Sequence, residues 1–263
     1  MTCSDPASRL IAALNRYPEL VIAVSGGVDS MTLAYIAHRF SRSTVSMLHA
    51  VSPAVPPHAT SRVRSHAERW GWALTVADAG EFEDPRYRAN PVDRCYFCKS
   101  NLYDRISSVT QGTVASGTNL DDLGDYRPGL KAASQRGVVH PFVEAEIDKA
   151  TVREIARQHG LDDLAELPAQ PCLSSRVETG IAIDAADLGF IDTVERAVSD
   201  IVPGEPNIRC RITHAGVALE LGEAEAGRDD IRYLVEALCH QTGRTFTGVR
   251  PYRRGAAFLR GAS

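Results

Sequence analysis

The chain lacks any apolar run near the roughly 20 residues that a membrane-spanning helix needs. Its start, MTCSDPASRL, also lacks the basic segment and the apolar core of a secretory signal. We therefore expect neither a membrane partner nor secretion, and the sequence predicts a cytoplasmic protein.

An excess of positive charge is absent as well. The net charge is −4, whereas proteins that grip nucleic acid usually have a basic balance, so we expect no nucleic-acid partner. Six cysteines in 263 residues do not suggest a disulfide scaffold. Clustered cysteines in a reducing compartment are more often metal ligands or catalytic groups, and we expect such a role here.

Short apolar runs alternate with amphipathic segments over most of the chain. Continuous apolar runs predict buried strands at residues 20–24, 45–51, 73–77, 113–116 and 138–142. A helical period predicts helices at residues 31–40, 58–70, 99–109 and 148–159. This alternation predicts the α/β class: a parallel, doubly wound, Rossmann-like sheet with helices on both faces.

The pattern changes after an irregular segment at residues 161–180. Beyond it, the sequence predicts helices at residues 185–201 and 229–241, a hairpin at residues 208–213 and 217–221, and strands at residues 245–249 and 256–259. We therefore predict two domains, an α/β domain at residues 1–182 and a smaller C-terminal α+β domain at residues 183–263.

The stretch SGGVDS follows the first predicted strand directly and precedes a helix. The glycines Gly26 and Gly27 permit a tight turn, and the N–H groups at the helix start can hold phosphate oxygens. Ser25 and Ser30 add hydroxyl donors. Asp29 cannot attract phosphate by charge, so a role on Mg²⁺ suits it better. The lysine and spacing of a Walker A loop are missing, and a corner with glycines for geometry alone is the alternative.

This stretch resembles the PP-loop signature SGGxDS of the ATP pyrophosphatases, which share an adenine-nucleotide α-hydrolase-like fold. The resemblance implies that ATP adenylates a substrate oxygen, pyrophosphate leaves, and a nucleophile then displaces AMP. Positioned donors and Mg²⁺ would stabilise the charge that builds on the departing pyrophosphate.

Two cysteine-bearing segments, RCYFCK and PCLSSR, interrupt the regular pattern. Cys95 and Cys98 could be half of a zinc site, a redox pair, cluster ligands or two buried residues without a chemical role. A zinc site needs a fourth ligand, and neither His49 nor Asp93 has a convincing spacing. Ligands of parallel sheets bind at the carboxyl ends of strands, where we expect both segments to converge.

The longer strings NPVDRCYFCK, ASGTNLDDLGDYRPGLKAA and PCLSSRVETG resemble the LarE-type sulfur transferases of nickel-pincer nucleotide biosynthesis. The resemblance implies a small pyridinium nucleotide as substrate, pyridinium-3,5-biscarboxylic acid mononucleotide. Its carboxylates would be adenylated and converted to thiocarboxylates. The resemblance also implies a homo-oligomer and a sulfide donor.

The same resemblance assigns roles to three thiols. Cys172 would be the sulfur centre, either giving up its own sulfur or joining Cys95 and Cys98 as ligands of a 4Fe–4S cluster. Three thiolates would leave one iron open to hold a sulfide, so the cluster form is the favoured prediction. ATP, Mg²⁺ and the cluster are thus the expected cofactors.

Further residues are candidates for the same site. The resemblance implies an ATP contact for Gly117, Thr118 and Asn119, and it includes an acidic loop of unassigned role, Asp121, Asp122 and Asp125. Arg127 and Arg176 are candidate clamps for a carboxylate or phosphate, because a guanidinium can hold either through two parallel hydrogen bonds. A tRNA thiolase with the same loop, or a sensor that binds ATP and a cluster without turnover, remains the alternative.

Overall fold

A computed structural model describes residues 5–124 and 128–253. Three features named above lie outside these ranges: Asp125, Arg127 and the strand predicted at residues 256–259; a further cysteine, Cys3, does so as well. No helix in the described ranges is long and apolar enough to cross a membrane.

Most predicted helices and strands appear in the predicted order, and the described residues contain five further α-helices that the sequence did not predict. In chain order, the strands are β1 (Glu19–Ala23), β2 (Thr44–Val51), β3 (Leu74–Asp78), β4 (Thr113–Ala115), β5 (Arg209–Thr213), β6 (Gly216–Leu221) and β7 (Phe246–Pro251). The α-helices are α1 (Pro6–Leu14), α2 (Val28–Phe40), α3 (Pro57–Trp70), α4 (Pro85–Arg88), α5 (Arg94–Val109), α6 (Pro128–Gln135), α7 (Pro141–Glu144), α8 (Lys149–Gln158), α9 (Asp162–Ala165), α10 (Ala185–Ile201) and α11 (Asp229–Gln241).

The chain divides into two compact units. The first unit comprises residues 1–84 and 93–170, and the second comprises residues 85–92 and 171–263. The predicted boundary at residue 182 falls inside the second unit. The short segment 85–92 joins the second unit through hydrogen bonds, among them one of 2.6 Å between the hydroxyls of Tyr87 and Ser174.

The first unit contains a four-stranded parallel sheet with the order β3-β2-β1-β4. Successive residues of β1 enter different cores: Leu20 and Ile22 pack with α2 and α8, and Val21 packs with α5 and α6. A strand covered on both faces needs a continuous apolar run, which is what β1 has. The predicted α/β class, with a parallel sheet and helices on both faces, is confirmed.

The second unit contains a smaller mixed sheet with the order β5-β6-β7. Strands β5 and β6 form the predicted antiparallel hairpin, whereas β7 pairs with β6 in parallel. Helices α10 and α11 have the predicted bounds, residues 185–201 and 229–241.

Two predicted elements differ from the structure. The strand predicted at residues 138–142 is reduced to a single bridge between Val139 and Ala115, because Pro141 begins helix α7. Proline lacks the N–H that a ladder needs but fits the first turn of a helix. Helix α5 begins at Arg94 rather than at residue 99, so Cys95 and Cys98 lie in its first turns rather than before it.

Candidate functional site

The predicted phosphate loop lies between β1 and α2. Gly26 has φ +84°, a left-handed conformation that side chains rarely adopt. A Cβ at this position would lie 2.8 Å from the carbonyl oxygen of Ala59 on α3, so only glycine lets the helix approach this closely. Gly27 is the N-cap of α2 and supplies no side-chain cap. The first N–H groups of α2 thus depend on a ligand or solvent for part of their hydrogen bonding.

The loop closes around two serine hydroxyls. The Ser25 N–H donates to Ser30 Oγ at 3.0 Å, and the two Oγ atoms lie 3.1 Å apart. The Gly27 N–H points at Ser25 Oγ at 3.4 Å. Ser30 is buried at 5% exposure, whereas Ser25 is exposed. The loop therefore has one exposed hydroxyl, that of Ser25, and one buried hydroxyl, that of Ser30. Both can turn toward a phosphate oxygen.

The turn after β4 packs directly on this loop. A Cβ on Gly117 would lie 2.7 Å from the backbone nitrogen of Ser30, which requires glycine at that position. The Asn119 side chain, 2% exposed, donates to Asp29 Oδ1 at 3.0 Å. The structure thus brings together two segments that the sequence analysis singled out separately, residues 25–30 and residues 117–119.

Lys149 completes this cluster, although the sequence analysis did not select it. Its ammonium group forms an ion pair with Asp29 Oδ2. Asp148 caps the start of α8 and fixes the position of Lys149, since its carboxylate accepts from the Thr151 N–H at 2.8 Å. A single lysine at a helix start has no local pattern that indicates a site, so tertiary structure was needed to find it.

A histidine extends the polar edge of the site. His140 Nδ1 lies 2.9 Å from Ser116 Oγ, which lies 2.9 Å from the Thr118 hydroxyl. Burial lowers the pKa of His140, against smaller opposing contributions from Glu144 and Asp122. The neutral imidazole is therefore favoured near neutral pH, and it can exchange a hydrogen bond with Ser116.

The acidic loop has a structural use in the described residues. Asp122 Oδ2 accepts from the Asn119 N–H at 3.1 Å, and Asp121 Oδ2 accepts from the Lys149 N–H at 3.3 Å. These carboxylates hold the backbone around Asn119 and Lys149. Asp125 and the candidate clamp Arg127 lie outside the described ranges.

A buried histidine on β2, His49, contacts the backbone just before the loop. His49 is fully buried, with Nδ1 2.8 Å from the Val24 carbonyl oxygen and Nε2 2.9 Å from the Thr60 hydroxyl. A carbonyl can only accept, so Nδ1 carries the proton and neutral His49 accepts from Thr60 at Nε2. This chain of bonds ties the end of β1 to α3. Both ring nitrogens of His49 are therefore hydrogen-bonded within the protein, which gives no support to His49 as a zinc ligand.

Two of the three candidate thiols share one helix. Cys95 and Cys98 are half-buried in the first turns of α5 and are spaced three residues apart, which places them on one face. They belong to the first unit, and Cys172 belongs to the second. No group of three or more histidine, cysteine, aspartate or glutamate side chains in residues 5–124 and 128–253 is arranged to hold a metal ion. The 4Fe–4S cluster therefore stays a prediction.

Cys172 is exposed at the start of a short 3₁₀ helix, Leu173–Arg176. The Arg176 guanidinium, 4% exposed, pairs with both carboxylate oxygens of Glu195 at 3.0 and 2.9 Å. It also donates to the carbonyls of Pro171 and Cys172 at 2.7 and 3.2 Å. This arrangement favours a role in holding the loop of Cys172 over the predicted anion clamp.

The second unit has a cleft next to Ser175 that is lined by arginine side chains. Arg211 lies 2.8 Å from Glu220, and Arg250 lies 3.0 Å from the same carboxylate, which is 2% exposed. Arg211 also donates to the Ser175 carbonyl at 2.8 Å. Two guanidinium groups thus share one buried carboxylate, and Arg176 and Glu178 line the same cleft. The alternating pattern of β5 and β6 predicted a hairpin but gave no indication of this pairing.

Comparison with known proteins shows three relatives. An uncharacterised protein of Synechocystis sp. is 39% identical over 179 residues, covering 66% of this chain and 66% of that protein, just under two thirds of its length. The pyridinium-3,5-bisthiocarboxylic acid mononucleotide synthase of Lactiplantibacillus plantarum is 27% identical over 231 residues, covering 86% of this chain and 83% of the synthase. An uncharacterised protein of Methanocaldococcus jannaschii is 26% identical over 195 residues, covering 73% of each chain.

No protein-family model matches the chain. The similarity to the synthase extends over both units, beyond the three motif strings that suggested the family. With the motifs and the overall similarity in agreement, the chain is a distant homologue of the LarE-type enzymes.

Proposed function

We propose that this protein is an ATP-dependent sulfur transferase that converts carboxylates of pyridinium-3,5-biscarboxylic acid mononucleotide into thiocarboxylates. We infer the substrate from the name of the Lactiplantibacillus relative, a pyridinium-3,5-bisthiocarboxylic acid mononucleotide synthase. The observation that carries the proposal is the cluster of Asp29, Asn119 and Lys149 beside the loop at residues 25–30.

That cluster suits the binding of a polyphosphate. The loop offers the N–H groups at the start of α2 and the hydroxyls of Ser25 and Ser30. Lys149 adds a positive charge, and Asp29 offers one carboxylate, the usual protein contribution to Mg²⁺ on a nucleotide. Bound Mg²⁺ would neutralise charge on the departing pyrophosphate. Asp29 could accept this ion only if Lys149 turned from it toward the phosphates.

The first proposed step is adenylation. A substrate carboxylate oxygen attacks the α-phosphorus of ATP, a new P–O bond forms, and the bond to the pyrophosphate oxygen breaks. Pyrophosphate leaves with that electron pair. The loop donors and the Lys149 ammonium stabilise the negative charge that grows on this leaving group. The product is an acyl adenylate, whose carbonyl carbon is open to a sulfur nucleophile.

The second proposed step uses Cys172. Its thiolate attacks the acyl carbon, the C–O bond breaks, and AMP leaves. Cleavage of the Cβ–S bond with loss of the Cα proton then gives the thiocarboxylate and leaves dehydroalanine at position 172. The exposed position of Cys172 suits contact with a substrate. The route that the sequence favours, a cluster held by Cys95, Cys98 and Cys172, would instead supply a renewable sulfide.

The cleft formed by Arg211 and Arg250 is the proposed site for anionic groups of the substrate. Arg250, whose side chain is half exposed, can offer hydrogen bonds to the carboxylates or the phosphate of the substrate nucleotide. Arg211 also contacts Ser175, three residues after Cys172, so the cleft and the exposed thiol belong to the same part of the second unit.

Cys172→Ala tests the division between the two steps. We expect the variant to bind ATP and release pyrophosphate with substrate present, but to form no thiocarboxylate. Product is followed by mass spectrometry, and Cys239→Ala, a buried cysteine of α11, is the control. Full sulfur transfer by Cys172→Ala would contradict the assignment. The intact mass of the wild-type protein after turnover shows whether dehydroalanine has formed.

A further inference from the structure

Arg62 on α3 reaches the glycine pair of the phosphate loop. Its Nη1 donates to the Gly26 carbonyl oxygen at 2.8 Å and to Gln170 Oε1 at 3.1 Å. Arg62 lies one helical turn after Ala59, the residue whose backbone contacts Gly26. Two successive turns of α3 therefore hold the same peptide of the loop.

Holding the Gly26 carbonyl also orients the next N–H. Because the peptide group is planar and trans, the carbonyl of Gly26 and the N–H of Gly27 point in opposite directions. Arg62 on the carbonyl side thus directs the Gly27 N–H to the opposite side, where Ser25 Oγ lies at 3.4 Å. This N–H belongs to the set that we propose for phosphate.

The charge of Arg62 is not neutralised by a contacting carboxylate. Within the described part of the chain, Arg62 forms no ion pair, and its Nη1 contacts are to a carbonyl and an amide oxygen. Burial lowers its pKa, and the more distant Asp163 opposes this effect. Asp163 itself pairs with His66 at 2.9 Å. Since no carboxylate of the described residues contacts this half-buried guanidinium, its charge favours an anion near the loop.

The other cation at the loop differs from Arg62 in this respect. Lys149 already pairs with Asp29, so its charge is compensated in the structure. The loop also lacks the lysine that a Walker A motif provides. Arg62 is thus a source of uncompensated positive charge on the α3 side of the loop.

We propose that Arg62 is a positioning residue of the loop: it holds the Gly26 carbonyl and thereby directs the Gly27 N–H toward phosphate oxygens of the bound polyphosphate. The proposal rests on the proposed nucleotide-binding function and goes beyond it, since the SGGVDS stretch alone indicates no role for α3.

The test compares three variants by calorimetry with ATP, inorganic pyrophosphate and adenosine as separate ligands. Arg62→Gln removes the charge, and Arg62→Lys keeps the charge but loses the planar fork. Arg64→Gln removes an exposed arginine of the same helix and is the matched control. Thermal unfolding of each variant shows that it is folded.

We expect Arg62→Gln to weaken ATP and pyrophosphate binding about tenfold or more, because a charge-assisted hydrogen bond is lost. Adenosine affinity should stay unchanged, since adenosine has no phosphate. Arg62→Lys should lie between Arg62→Gln and the wild type, and the phosphate affinity of the wild type should fall with added salt more steeply than that of Arg62→Gln. Arg64→Gln should match the wild type.

The outcomes separate this inference from the function on which it rests. A wild type that binds neither ATP nor pyrophosphate contradicts the proposed function. A wild type that binds both, with Arg62→Gln no weaker than Arg64→Gln, overturns the role of Arg62 alone. Equal loss of adenosine and ATP affinity would also overturn it, because that result indicates general distortion. If Arg62→Gln does not fold, Arg62→Lys decides the test. An Arg62→Lys variant that binds ATP and pyrophosphate as tightly as the wild type overturns the positioning role.

Discussion

At the scale of single residues, Asp29 has the most informative surroundings in the first unit. One carboxylate oxygen accepts from Asn119, and the other pairs with Lys149. The partners come from the turn after β4 and from the start of α8, which are distant from Asp29 in sequence. The carboxylate therefore joins three parts of the fold beside the proposed phosphate loop. Of its two partners, only Lys149 carries a positive charge.

Lys149→Gln tests the role of that charge. We expect substrate-dependent pyrophosphate release to fall about a hundredfold, the usual cost of losing one positioned donor to a developing charge. Lys131→Gln, which removes an exposed lysine of α6, is the control and should keep its rate. Unchanged pyrophosphate release by Lys149→Gln would show that the ion pair with Asp29 has no part in the reaction.

Residues also mark what the sequence could and could not reveal. Ser25, Gly26, Gly27 and Ser30 were found because a strand, a glycine pair and a helix are local features. Lys149 was missed because it becomes a candidate only when α8 packs beside α2. Arg62 was missed for the same reason, since its partner Gly26 lies 36 residues earlier in the chain.

At the scale of elements, α3 supports the proposed phosphate loop directly at Gly26 and indirectly through the buried His49. Ala59 abuts Gly26, Thr60 bonds to His49, and Arg62 holds the Gly26 carbonyl. The helix begins with Pro57, directly after Pro56 at the N-cap. Proline fits the start of a helix because its φ is fixed and the N–H that it lacks has no partner there. The shape of the loop therefore depends on a helix that comes two elements later in the chain, after α2 and β2.

Gly26→Ala tests this dependence. The new methyl group would meet the Ala59 backbone at 2.8 Å in a left-handed conformation, so we expect the free energy of unfolding to fall by roughly 1–3 kcal/mol. Gly80→Ala is a matched control, because Gly80 has φ +75° and open space around its Cβ position. Denaturant unfolding should show a larger loss for Gly26→Ala, and equal losses would contradict the close packing.

Element boundaries show where local patterns fail. The sequence predicted α5 to begin at residue 99, but it begins at Arg94. The prediction was late because the apolar and aromatic residues CYF gave no clear signal of a helix start. The segment 85–92 joins the second unit through bonds such as that from Asn90 Nδ2 to the Glu178 carbonyl at 2.9 Å. No local pattern reveals a contact across so many residues.

At the scale of the whole molecule, several histidines make the free energy of unfolding depend on pH. Burial lowers the pKa of His49, His140 and His159 in the folded state below the ordinary value of 6.5. The unfolded chain then binds more protons than the folded protein as pH falls below about 6.5. The contribution of these three histidines to the free energy of unfolding is fully present above that pH and is lost progressively on acidification.

His49→Gln tests this account, because His49 is fully buried and bonded at both nitrogens. We expect the variant to lose roughly 1–3 kcal/mol at neutral pH, the cost of disturbing a buried hydrogen-bonded group. Its further loss of free energy of unfolding between about pH 7 and pH 5 should be smaller than in the wild type. His240→Gln, an exposed residue of α11, should keep the wild-type slope. A parallel slope for His49→Gln would contradict the account.

The central claim concerns chemistry at a carboxylate, and product analysis tests it most directly. The protein is incubated with ATP, Mg²⁺ and pyridinium-3,5-biscarboxylic acid mononucleotide, and the nucleotide is analysed by mass spectrometry. We predict replacement of carboxyl oxygen by sulfur, with AMP and pyrophosphate formed in proportion. A nucleotide of unchanged mass, from protein that binds ATP and retains its Cys172 thiol, would contradict the claim.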